Sequence, residues 1–179
     1  MKTLGCFLLT FLFMSLPALA NDLTLFGGFQ HPGKVTLRNA VSSGIGTTTQ
    51  IIDNPINVGV FGIRFAHGKV VGAEHTLAYA PNFLDSTTKV VIYNSNLLIQ
   101  APTPIVKPYV TAGLGTFFVK GTGPTDIGTK FAVNYGGGLK LFPVGPVGTR
   151  IDVRGYSVPG VQSQTLNLIE VSLGVAFRY

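Results

Sequence analysis

From Asn167 to Tyr179 the chain repeats with a period of two. Asn167, Ile169, Val171, Leu173, Val175, Phe177 and Tyr179 alternate with Leu168, Glu170, Ser172, Gly174, Ala176 and Arg178. A helix sorts its faces every 3.6 residues, so this segment predicts a strand. One face is apolar along its length, and the other carries charge and small residues. A slip of one residue would move Glu170 and Arg178 onto the apolar face, which defines the register. A strand of this kind suits a sheet with lipid on one side and a polar interior on the other.

The same division recurs upstream. In 130–141, Phe131, Val133, Tyr135, Gly137, Leu139 and Leu141 oppose Lys130, Ala132, Asn134, Gly136, Gly138 and Lys140. In 58–66, Phe61, Ile63 and Phe65 oppose Gly62, Arg64 and Ala66. In 70–79, Glu74 and Thr76 oppose Val71, Ala73, His75, Leu77 and Tyr79; a neutral imidazole on the apolar face costs less than a carboxylate there. Further strands are expected at 23–29, 88–99, 108–120 and 149–156, where Arg150, Asp152 and Arg154 share one face. The facing of 108–120 stays open because both of its sets are apolar. The total is about eight, the smallest usual membrane barrel.

Composition agrees. Only 20 of 179 side chains are charged, 13 basic and 7 acidic, or 11% where soluble domains average roughly 25%. A soluble secreted ligand-binding barrel needs a charged exterior, so it is an alternative the composition disfavours. Beyond residue 20 no run approaches the roughly 18 apolar residues of a spanning helix. Residues 1–20 read as a cleavable signal peptide: Lys2, an apolar stretch from Leu4 to Leu16, and Ala18-Leu19-Ala20. The remainder, 21–179, then forms one domain. Cys6 would leave with the signal, so a disulfide, a thiol nucleophile and a Cys-based metal site are not expected. The formal net charge of +6 is scattered without a basic cluster, which speaks against nucleic acid.

Connections alternate in length. With both termini in the periplasm, external loops fall near 30–57, 80–87, 121–128 and 157–164, and internal turns near 67–69, 100–107 and 143–148. The Ser/Thr/Gly-rich part of 30–57 reads as a flexible loop.

These features together resemble the small OmpA/OmpX-like outer-membrane β-barrel proteins of Gram-negative bacteria. The resemblance is carried by the signal end, by Lys107-Pro108-Tyr109-Val110-Thr111-Ala112-Gly113-Leu114-Gly115, by Tyr135-Gly136-Gly137-Gly138-Leu139-Lys140, by Arg150-Ile151-Asp152-Val153-Arg154 and by Val175-Ala176-Phe177-Arg178-Tyr179. It implies an all-β, antiparallel up-and-down transmembrane barrel in the outer membrane. It also implies contact with outer-membrane lipid and lipopolysaccharide, and a final strand read by the barrel-assembly machinery through Phe177 and Tyr179. Trp is absent, so Tyr79, Tyr109, Tyr156 and Tyr179, near strand ends, are expected to supply the interface girdles.

Arg64, Glu74, Lys140, Arg150, Asp152, Arg154, Glu170 and Arg178 are all expected on the inner face. There they either pair with one another in a core without a plug or line a pore. His31, His67 and His75 have no Ser two residues away on the same strand face, the arrangement expected of a lipid A deacylase, and no spacing for a shared metal. No catalytic, cofactor or metal residue is assigned. The expected role is a monomeric, non-enzymatic barrel with a structural or surface-interaction function, meeting an extracellular partner through loop 30–57. A small passive pore and a lipid A-modifying enzyme are the alternatives.

Overall fold

The computed structural model describes residues 22–40, 47–52 and 57–179; the expected signal peptide lies outside the described residues. The strands are β1 (Asp22–Pro32), β2 (Val35–Ala40), β3 (Thr47–Ile52), β4 (Val58–His67), β5 (Val71–Pro81), β6 (Lys89–Gln100), β7 (Val106–Lys120), β8 (Gly128–Leu141), β9 (Val147–Val161) and β10 (Gln164–Arg178). Eight of them close a barrel in the order β1-β10-β9-β8-β7-β6-β5-β4, with β1 antiparallel to both β10 and β4. Closure leaves no unpaired edge, the condition a sheet must meet in hydrocarbon.

Alternation assigns the two sides. On β10, Glu170, Ser172 and Ala176 are buried, whereas Leu173 is 58% exposed. On β1, Phe29 is 65% exposed beside buried Gln30. Arg64, Glu74, Arg150, Asp152, Arg154 and Glu170 point inward and most large apolar side chains of the wall point outward, the reverse of a soluble barrel; Lys89 and Lys120, at the start of β6 and the end of β7, are exposed. The facing of β7, open from sequence, is resolved: Tyr109, Thr111, Phe117 and Val119 are buried, and Val110, Leu114 and Phe118 are exposed.

Both ends of the barrel chain and the connections after β4, β6 and β8 lie at one end, here the turn end. At the other, the loop end, two connections differ from the sequence reading. The segment read as a flexible loop at 30–57 contains the antiparallel pair β2–β3, from Val35 opposite Ile52 to Ala40 opposite Thr47. The expected loop at 157–164 is mostly strand. β9 and β10 continue to Val161 and Gln164 and turn through Gln162 (φ 48°) and Ser163 (φ 67°). Positive φ at both turn positions matches the right-handed twist of a two-residue hairpin, although neither residue is the usual Gly or Asn.

Candidate functional site

The lumen has two storeys. Toward the loop end it is apolar: Phe26, Val60, Ile92, Phe117, Val158 and Leu168 pack in one buried cluster with Tyr156. Phe83 joins them from the connection after β5, 1% exposed, its ring 6.2 Å from that of Phe117. A loop residue thus helps seal the interior, a departure from the plug-free core expected. The turn back into β6 is held by Asp85, whose Oδ1 accepts from the backbone N–H and hydroxyl of both Thr87 (2.7 and 2.8 Å) and Thr88 (2.8 and 2.9 Å). Partial burial pushes the Asp85 carboxyl up, but these hydrogen bonds prevail and bring it down to about 2.

Below this lies the charged storey. Arg64 Nη1 donates to Asp152 Oδ2 (3.0 Å) and Nη2 donates to Glu170 Oε1 (2.6 Å). Arg150 donates from Nε to Asp152 Oδ2 (2.8 Å) and from Nη2 to Glu74 Oε2 (2.5 Å). Arg154 Nη2 donates to Glu74 Oε1 (2.6 Å) and Asp152 Oδ1 (3.0 Å). Nearer the turn end, Lys140 Nζ donates to Asp22 Oδ2 (2.7 Å) and Gln100 Oε1 (3.1 Å). Four cations, Arg64, Lys140, Arg150 and Arg154, therefore meet four carboxylates, Asp22, Glu74, Asp152 and Glu170. All eight are buried. Ions removed from water to this extent persist only with partners and further hydrogen bonds, and Glu170 gains three, from Gln30 Nε2 (2.9 Å), Tyr156 Oη (3.1 Å) and Ser172 Oγ (3.3 Å).

Seven of the eight residues expected on the inner face thus stand in this network. Arg178 does not share an ion pair with them among the described residues; it sits at the rim with its guanidinium 3.8 Å from the centre of the Phe142 ring. Asp22, which completes the balance, was not singled out from sequence. It precedes the strand expected from Leu23, yet it shares parity with buried Thr24 and Phe26.

Two expected interface aromatics are corrected. Tyr109 (4% exposed) and Tyr156 (2%) point into the lumen. Burial of the Tyr109 hydroxyl is offset by polar contacts, since its Oη accepts from Arg150 Nε at 3.0 Å while Arg150 also lies over the ring. Room for these side chains comes from β8, where a Cβ on Gly138 would stand 2.6 Å from the Tyr109 hydroxyl and one on Gly136 2.9 Å from Arg154 Cγ. Tyr79 faces outward and meets Phe61 edge-on at 5.5 Å between ring centres; Tyr179 is 64% exposed just past β10, and Phe177 is outward on it.

On the outer wall, His75 Nδ1 and the Tyr93 hydroxyl are 3.1 Å apart, and the His67 ring stacks 6.5 Å from that of His75. Ser95 lies opposite His75 across the β5–β6 ladder, a neighbour that a search along one strand does not find. Among the described residues, no Asp or Glu of a barrel strand shares that face; Asp22, Glu74, Asp152 and Glu170 are all buried inside.

No family model matches the chain, and no curated protein matches it. Among solved structures it is similar to neisserial surface protein A, with a TM-score of 0.60 at 16% identity over 88% of this chain and 97% of that one. The chain has the fold of a small outer-membrane β-barrel. The outer membrane protein OprG from Pseudomonas aeruginosa (TM-score 0.55, 12% identity, 89% and 97% covered) has the same architecture. So has the N-terminal barrel domain of Pseudomonas aeruginosa OprF (0.52, 16%, 88% and 98%). At these identities, what the barrel shares with them is its fold.

Proposed function

We propose that the protein is a closed, non-conducting and non-enzymatic outer-membrane barrel whose working surface is its external loops. The observation that carries this reading is the filled lumen: an apolar layer that includes Phe83 lies over an ion-paired layer that crosses from wall to wall. A hydrated path for small ions would need one of these layers to open. The turn end, with the shorter connections, faces the periplasm, and the loop end faces outward. The β2–β3 hairpin is then the largest external element, and within 30–57 it is the segment offered to an extracellular partner.

The enzyme alternative is disfavoured by the outer wall. His75 is engaged with Tyr93 and has a serine opposite, but no carboxylate on that face orients the imidazole. Lipopolysaccharide fits the loop end. Lys89 and Lys120 stand directly opposite each other on β6 and β7, both exposed, where like charges repel unless an anion such as a lipid A phosphate lies between them. Phe177 and Tyr179 are offered to the assembly machinery as the outward residues at the end of β10.

Planar-bilayer recording tests the central claim. Barrels whose insertion is verified by the difference between unheated and boiled gel mobility should pass no more current than a protein-free bilayer. Discrete conductance steps would overturn the reading and restore the passive pore. Replacing 34–57 with a short Gly/Ser linker should leave insertion intact and abolish attachment of the bacterium to its surface partner.

A further inference from the structure

The turn end carries a feature that neither the closed lumen nor the external loops use. Beneath the charged storey is a cavity of about 380 Å³ lined by Asp22, Lys69, Gln100, Lys107 and Arg178, with Tyr179 and the β6–β7 turn at its margin. Its charge is unbalanced toward cations. Asp22 Oδ2 is already held by Lys140 Nζ at 2.7 Å, and three cations, Lys69, Lys107 and Arg178, complete the charged lining. Arg178 stacks on Phe142 through the face of its guanidinium, an arrangement that keeps its N–H edge available to an acceptor.

A second groove, of about 360 Å³, lies on the outer wall beside this rim and is almost wholly apolar; Val70, Ile99, Pro108 and Val110 line it. The cavity and the groove share Gln100 and Pro102. Two consecutive pairs straddle the wall between them. Lys69 lines the cavity and Val70 the groove; Lys107 lines the cavity and Pro108 the groove. Strand alternation produces this directly at Lys107-Pro108, because neighbouring side chains leave a strand on opposite faces. Cationic sites are thereby set immediately under an apolar slot.

We propose that this rim binds one anionic glycerophospholipid of the periplasmic leaflet, with its phosphate drawn under the β6–β7 turn toward Lys69, Lys107 and Arg178 and an acyl chain along the Val70–Val110 groove. The assignment of leaflet rests on the orientation proposed above; the binding chemistry does not. A small anion would satisfy the cavity alone. Only a lipid uses the cavity and the groove together, and its two parts match them in polarity.

The test is native mass spectrometry of the full barrel released from neutral detergent micelles. The added probes are phosphatidylglycerol, phosphatidylcholine with the same acyl chains, and glycerol phosphate. Retention of one phosphatidylglycerol, with apparent affinity about tenfold or more above phosphatidylcholine, is expected. Lys69→Gln with Lys107→Gln should erase that preference, and Ile99→Asn should weaken both lipids alike; the gel mobility shift verifies that each variant is folded. Equal retention of the two lipids, a preference untouched by the lysine double variant, or binding of glycerol phosphate as tight as that of the lipid would each overturn the proposal. Measurement in micelles is independent of orientation and conductance, so failure here leaves the closed-barrel reading intact.

Discussion

Glu74 on β5 and Arg154 on β9 are four strands apart in either direction around the barrel, yet Glu74 Oε1 accepts from Arg154 Nη2 at 2.6 Å. The pair spans the full lumen. Replacing Glu74 with Ala would leave Arg150 and Arg154 with half their carboxylate partners in a buried site, and should cost about 3–5 kcal/mol of stability. Urea unfolding from lipid vesicles measures this. A second substitution, Arg154→Met, should recover part of the loss because it removes one uncompensated charge; no recovery would show that the pair acts chiefly through packing.

The outward face makes its own demand. Leu173, 58% exposed near the middle of β10, should tolerate Ile or Phe at small cost, whereas Leu173→Arg should cost about 2–4 kcal/mol in a bilayer. The same substitution measured in a short-chain detergent should cost less, since water reaches the wall there. Equal costs in both media would contradict the lipid-facing assignment.

Lys120→Glu replaces a like-charge opposition with a cross-strand ion pair to Lys89. In lipid-free detergent the variant should be more stable than the parent by about 0.2–1 kcal/mol. It should also retain less lipopolysaccharide through purification, which phosphate assay of the washed protein reads. Unchanged retention would remove this lysine pair as a lipid A contact.

Asp85 ties the β5–β6 connection through its contacts with Thr87 and Thr88, and its carboxyl is lowered to about 2. A depressed carboxyl stabilises the folded loop fully above its unfolded value of about 3.9, and the contribution is lost as pH falls through about 2. The Thr88 amide should therefore keep its protection at pH 5 and lose it only below about pH 2–3, as read by hydrogen exchange divided by the intrinsic rate at each pH. In Asp85→Ala that protection should be absent throughout the range, and a normal carboxyl titration near 4 in the parent would contradict the account.

The parts of this fold legible in the sequence are those where a charge marks the inside. Arg64, Glu74, Arg150 and Glu170 each set the parity of a whole strand, because the wrong face would carry an ion into lipid. β7 has no charge between Tyr109 and Phe118, so its facing depends on its neighbours: Gly113 and Gly115 lie beside buried Asn96 and Asn94 of β6. Tyr156 shows two cues in conflict. Its place near a strand end suggests a girdle, but it shares parity with Arg150, Asp152 and Arg154, and parity prevails. Tyr109 offered no such cue, having no charged neighbour of known facing within its strand. The β2–β3 pair was hidden by Ser, Thr and Gly, although Thr47-Thr48-Thr49-Gln50-Ile51-Ile52 is rich in the branched residues that favour strands. The hairpin at Gln162–Ser163 lacks the glycine or asparagine that announces such a turn.

The interior ions also bear on how the chain arrives at this state. Asp22 of β1 finds Lys140 on β8, Gln30 of β1 finds Glu170 on β10, and Arg64 of β4 finds Asp152 on β9. None of these contacts lies within a single hairpin made of consecutive strands. A half-built or misregistered sheet consequently leaves these ions without their partners and held by water alone, and their pairing is complete only when the last strand meets the first. Closure in the correct register is thus the step at which the eight interior ions exchange water for one another, so these charges favour the correctly closed barrel over a misregistered one.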